Sequence, residues 1–237
     1  MDIAARLAPL SPYDLAAAAG LVAAWLAIGW RIEHPSAARP STSRIVAGYR
    51  RDWMVEMITR EPRIFDAQVL GSLREGTSFF ASAVMIAIGG GLALMGDPSR
   101  LSGLVPDIGP DLAQTQASNH VWPLKLALPL VLLVSGFLAF VWSHRLFGYC
   151  AVVMASVPND AGDAKALSRA AKAAEINITA ARSFNRGLRA VYFAMAALAW
   201  LVGALPLVLA TLVTLVVLWR REFASNSRRV LLEPDAT

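Results

Sequence analysis

Thirty consecutive residues, Ala190 to Trp219, carry no charged side chain. As one helix rising ~1.5 Å per residue, this run would reach roughly 45 Å, against a hydrocarbon core of ~30 Å. Gly203 and Pro206 stand at its middle. Cut there, it gives two spans of about 17 residues, at the short end of what crosses a bilayer. Charge decides between one crossing and two. Arg220, Arg221, Arg228 and Arg229 follow the run, and Lys and Arg collect on the cytoplasmic side of membrane helices. One crossing would put them outside; two put them inside with the other basic clusters. The sequence therefore predicts two helices joined by a tight turn over Gly203–Pro206. Trp200 then marks the outer interface and Trp219 the inner one.

Apolar residues come in blocks elsewhere too. Hydrophobic side chains make up 56% of the chain, charged ones only 16%, and the mean hydropathy is +0.50. A soluble domain carries about a quarter charged residues. The expectation is an all-α integral membrane protein, one membrane domain over residues 1–237, with five transmembrane helices, N-terminus out and C-terminus in. The spans fall at about 13–30, 77–96, 124–142, 187–203 and 204–220. Cytoplasmic amphipathic helices fill about 43–75 and 160–186. The first span opens at Ser11-Pro12, and Trp30-Arg31 is no cleavage site, so it reads as a retained helix. The segment Ile32 to Ser43, rich in Pro, Ser and Ala, reads as a flexible linker. In the third span Lys125 can snorkel outward, and Pro129 sits where a kink is tolerated.

Between Tyr49 and Gly91 a charged amphipathic half feeds an apolar half with no ionisable residue after Glu75. Val46, Tyr49, Trp53 and Met57 are spaced for one helix face, and Ser41, Thr42 and Ser43 all suit an N-cap. Glu56 and Arg60 are spaced for an i, i+4 pair. Pro62 separates this helix from the next, whose stripe is Phe65, Val69 and Leu73. The first helix lies either on the inner leaflet or against the rest of the cytoplasmic face. Beyond Glu75, Ser78, Ser82, Gly89, Gly90 and Gly91 allow close helix packing; a pore or hinge is the other reading.

Asn159 and Asp160 suit a helix start. The seam Leu167, Ala171, Ala174, Ile178, Ala181, Asn185, Leu188 and Tyr192 alternates steps of four and three, a heptad pattern. Arg182, Arg186 and Arg189 form a neighbouring stripe. With Arg145 they outline a basic mouth for anions, or they are positive-inside anchors. His144, next to Arg145, is either a switch or a structural residue.

The runs RRDWMVEMITREPRIFDAQVLGSL, SFFAS, WSHRLFGYC, SFNRGLRAVYFAMAALAW and RREF resemble, in order, the bacterial membrane family called domain of unknown function 599. The resemblance spans about Leu15 to Phe223. It implies a polytopic membrane protein of the bacterial inner membrane, without an assigned activity or catalytic residues. The family favours Gln-Phe-Asn-Tyr-Cys where this chain has Leu146-Phe147-Gly148-Tyr149-Cys150, which argues against a fixed polar role there.

Little catalytic chemistry is written in the chain. It has no phosphate-binding Gly-rich loop ending in Lys-Ser/Thr, no HExxH and no GxSxG. Its one cysteine, Cys150, excludes an internal disulfide. No cofactor is predicted. A pI near 9.9 follows from the basic flanks of the spans rather than from nucleic-acid binding. Asp97, Asp107, Asp111 and His120 follow no metal-ligand spacing. The interfacial charges Arg63, Asp66, Arg74 and Glu75 are either an intramembrane active site or helix ion pairs. Two functions lead. One is a structural or accessory membrane subunit, an assembly partner. The other is a homo-oligomeric channel or passive transporter, selecting anions at the basic mouth. The expected partners are the lipid bilayer and either further copies of the chain or another membrane protein.

Overall fold

The computed structural model describes residues 10–96 and 121–234, and everything described is helix, turn or short connection. Helix α1 (Pro12–Glu33) starts on a capping box: Asp14 N–H donates to Ser11 Oγ, and Ser11 N–H donates back to the Asp14 carboxylate. Helix α2 (Thr42–Glu56) takes Ser41 as its cap. Three long helices follow: α3 (Ile64–Gly96), α4 (Val121–Ala155) and α5 (Ala166–Leu198). At 33, 35 and 33 residues each is ~50 Å long. Helix α6 (Ala204–Phe223) and the short α7 (Asn226–Leu231) complete the chain.

The turn expected between the last two spans is present. Helix α5 tightens into a 3-10 turn over Ala199–Leu201, and Gly203, at φ 155°, reverses the chain into α6. A residue with a Cβ adopts that conformation at a cost, which explains glycine here. Of the segments expected as cytoplasmic helices, α2 is separate, whereas the parts that begin at Ile64 and Ala166 are continuous with the apolar runs that follow them. Helix α3 runs unbroken through Glu75, α4 runs past Trp142 to Ala155, and α5 passes from Ala166 through Gly187 to Leu198. None of these boundaries holds a proline, and the Gly and Ser beside them do not stop the helix, so a change of polarity alone does not end it.

Long helices leave room for two cores stacked end to end. The first joins α1, the N-terminal half of α4, the C-terminal half of α5 and α6, around Leu21, Ile28, Leu132, Phe193, Trp200 and Leu207. The second joins α2, the start of α3, the end of α4 and the start of α5, around Met54, Met57, Leu70, Phe147, Cys150 and Ala173. Phe80, Phe140 and Phe184 bridge α3, α4 and α5 with ring centroids 5.4–5.5 Å apart.

Helices α4 and α5 form the tightest pair. A Cβ on Gly187 would lie 2.6 Å from the Phe140 ring, and one on Gly136 would lie 3.3 Å from the Gly187 carbonyl. Ser143 Oγ donates to the Ala180 carbonyl at 2.7 Å, and Ser183 Oγ donates to the Ala139 carbonyl at 2.9 Å. Such hydroxyl bridges between closely packed backbones are a membrane-helix device.

Three local expectations are corrected. The α5 seam lies partly beside the predicted one: Ala174 and Ile178 are buried as expected, but so are Ala166, Ala170, Ala173, Asn177 and Ala180, while Leu167 is 62% exposed. Small side chains face α4 because the backbones meet there. Asn159 and Asp160 do not cap α5, which starts at Ala166 with no side-chain cap. Helix α2 packs on α5, burying Ala47 and Met54 with Tyr49 exposed, so of its two readings it takes the packed one. The linker before it is short and anchored: Ser41 Oγ donates to the Ile32 carbonyl at 3.0 Å.

Candidate anion site

The end of α1, the first turns of α2 and the middle of α5 converge on a cavity of about 60 Å³. Four arginines line it: Arg44, Arg50, Arg182 and Arg189. Arg182 and Arg189 belong to the stripe expected from sequence, whereas Arg44 and Arg50 come from α2. Nothing in the spacing along either helix shows that they meet; the docking of α2 on α5 brings them together.

Each guanidinium has its own surroundings. Arg189 is buried and donates from Nη2 to Glu33 Oε1 at 2.5 Å. Arg186, outside the cavity, donates from Nε to the same oxygen at 2.8 Å and from Nη2 to Glu33 Oε2. This bond holds the Arg186 pKa above the usual arginine range. Arg50 donates to Asn177 Oδ1, and burial lowers its pKa from the ordinary value. Arg44 and Arg182 are exposed, and their guanidiniums have no hydrogen bond or ion pair among the described residues. Glu33 is the one carboxylate in the lining, and two arginines already share it. The next nearest, Glu222, accepts from Ser43 N–H at 3.1 Å and Ser43 Oγ at 3.0 Å, at the start of α2. The lining thus holds more N–H donors than acceptors.

Arg145, the fourth member of the expected mouth, lies elsewhere. Its Nε donates to Tyr149 Oη at 2.5 Å, and its guanidinium lies 5.6 Å over the same ring. His144 Nδ1 stands 3.2 Å from Thr77 Oγ1, tying α4 to α3.

The members of the interfacial charge cluster have separate hydrogen-bond partners. Asp66 is fully buried and accepts from Trp53 Nε1 at 2.7 Å and Arg60 Nη1 at 2.5 Å. Arg60 therefore serves Asp66 rather than Glu56, because α2 ends at Glu56 and the i, i+4 geometry ends with it. Arg63 donates to the Val157 and Pro158 carbonyls, both at 2.8 Å. Arg74 and Glu75 are exposed. Arg63, Asp66 and Arg74 nevertheless line one cavity of about 280 Å³ between α3 and the end of α4, which Glu75 does not join. Among the described residues, no group of three or more His, Cys, Asp or Glu could hold a metal ion. Asp97, Asp107, Asp111 and His120 lie outside the described residues.

Of the small residues on α3, Ser78, Ser82, Gly89 and Gly90 face away from the rest of the chain. A Cβ on Gly89 or Gly90 would meet nothing within 4 Å, whereas one on Gly91 would meet Leu130 Cδ2 at 2.5 Å. Only Gly91 packs internally. Gly136 and Gly187, where α4 and α5 meet, stand in no triple-glycine run and carry no such signal in the sequence.

Four segments are long and apolar enough to cross a membrane: Pro12–Glu33, Ile64–Gly96, Val121–Ala155 and Ala204–Leu231. Their surfaces stay apolar where the chain leaves them uncovered, as at Ile86 (76% exposed) and Leu205 (69%). These features define a polytopic helical membrane protein. The family described as "Protein of unknown function, DUF599" matches residues 16–227. The chain belongs to that family. No curated protein and no solved structure matches it.

Proposed function

We propose that this protein is a structural or accessory subunit of the bacterial inner membrane, crossing it five times with its N-terminus out and its C-terminus in. It assembles through the outward face of α3, with another copy of the chain or another membrane protein.

The observation that carries the reading is the isolation of α3. Its own chain covers it chiefly with α4. Over its apolar half, beyond Glu75, Thr77 and Val84 are buried, while Phe79, Met85 and Leu92 are 57–68% exposed. Lipid would satisfy the large side chains. It gains nothing from Ser78, Ser82, Gly89 and Gly90 on the same surface, which suit the close approach of another helix.

The fifth crossing rests on α5. Three arginines within its last 18 residues dilute its apolar character. However, Arg189 is tied to the inner end of α1 at Glu33, and Trp200 to the outer end at Asp14. The segment between them runs alongside α1.

Disulfide cross-linking tests the assembly. With Cys150 replaced by Ser, Ser82→Cys should give a cross-linked product in native membranes, and Ser72→Cys, outside the apolar half, should not. Equal yields from both positions would remove the assignment of this face.

A further inference from the structure

We infer that the cavity between α1, α2 and α5 binds a phosphate group, carried either by a lipid headgroup or by a soluble phosphate. This goes beyond assembly through α3 and does not depend on it.

Composition of the lining comes first. Arg44, Arg50, Arg182 and Arg189 face one carboxylate, Glu33, which is already shared by Arg189 and Arg186. Guanidinium forks match phosphate oxygens in pairs, and such charge-assisted bonds are among the stronger ones a protein makes. Asn185 Nδ2 donates to Ser43 Oγ at 3.3 Å in the same lining. A cationic ligand would meet this excess of positive charge, and an apolar one would leave the donors unmatched.

Size and desolvation narrow the class. About 60 Å³ suits a compact group, a single water needing ~10–15 Å³ by the same measure. The cavity is partly open, so a substituent on the phosphate can lead outward. Arg50 is half-buried, with Asn177 as its side-chain partner, and burial lowers its pKa. A cation held out of water in this way gains most from an arriving anion.

Position leaves two sources for the phosphate. Ile32 and Glu33, the last residues of α1, line the cavity. Arg31, one residue earlier, lies 5.0 Å over the Phe223 ring, beside Trp219 at the end of α6. In the proposed topology this is the depth of the inner headgroups. The cytoplasm is equally close.

The test uses the full chain purified in detergent. Calorimetry with inorganic phosphate reads the soluble arm. Native mass spectrometry after exposure to phosphatidic acid or phosphatidylcholine reads the lipid arm. Binding of phosphate, or preferential retention of phosphatidic acid, is expected. Displacement of that lipid by millimolar phosphate would show that both sources share one cavity. Arg44→Gln with Arg182→Gln, at two exposed positions, should weaken whichever binding is seen by roughly tenfold or more, about 1.4 kcal/mol per tenfold. Arg145→Gln, away from the cavity, should leave it unchanged. If the double variant does not purify, Arg182→Glu alone gives the same readout. No phosphate binding together with equal retention of the two lipids would overturn the inference. So would wild-type binding by the double variant or by Arg182→Glu.

Discussion

Trp200 Nε1 donates to Asp14 Oδ1 at 2.7 Å across 186 positions of sequence, closing the C-terminal end of α5, the outer end in the proposed topology, against the start of α1. Lys125 from α4 adds its ammonium 3.6 Å from the same oxygen. At the other end of α1, Arg189 closes on Glu33. Three helices that share one apolar core are thereby fixed in register by two polar clamps.

Removing the outer clamp should cost stability. Asp14→Ala leaves the Trp200 N–H and the buried Lys125 ammonium without their acceptor, and an orphaned buried polar group costs about 1–3 kcal/mol. Trp200→Phe removes only the donor and should cost less. Thermal unfolding in detergent gives the order. Equal effects would mean that Lys125 does not need Asp14.

At the inner clamp the two arginines are unequal. Arg189 has a side chain 7% exposed, against 57% for Arg186. Glu33→Ala strands a buried cation and should destabilise by about 3 kcal/mol or more. Arg186→Gln breaks a largely solvated pair and should cost no more than about 1 kcal/mol. Chemical denaturation of both variants in one detergent checks the difference.

Glycine substitutions separate internal from external packing. Gly187→Ala drives a methyl into the Phe140 ring and should cost about 1–3 kcal/mol, as overpacking does. Gly90→Ala meets nothing in its own chain, so the isolated protein should be unharmed, or stabilised by up to about 1 kcal/mol through helix propensity. If Gly90→Ala lowered the melting temperature of a monodisperse monomer, the α3 face would be internal.

Much of this was legible in sequence, and what was not has a physical cause. The break at Gly203 was readable because a run too long for one bilayer crossing held a glycine and a proline at its middle. The extension of α4 past Trp142 was readable from the apolar run that follows it, whereas continuity through Glu75 and Gly187 was not, because polarity changes there and a lone glycine weakens a helix without ending it. Half of the cavity was visible as the Arg182–Arg189 stripe. Arg44 and Arg50 were hidden because their partners lie more than a hundred residues away. Of the stripe expected from Val46 to Met57, Met57 is buried and Trp53 packs on the same core, while Tyr49 is exposed and Ala47 and Met54 are buried instead, since a helix close to α5 has room for the smaller or more flexible side chain.

Topology can be checked directly. A phosphatase reporter after Gly203 should be active, and one after Arg229 inactive, with a fluorescent reporter giving the reverse pattern. Phosphatase activity at Arg229 would reduce the crossings to four and leave α5 on the cytoplasmic side.

The most direct test of assembly through α3 is the particle mass after native purification through a C-terminal tag, with co-purifying proteins identified. The account predicts a particle well above the 25.4 kDa of one chain, made of further copies or a stoichiometric partner, and lost in Gly90→Leu while the variant stays folded. A wild-type protein that runs as a single chain with no partner would contradict it.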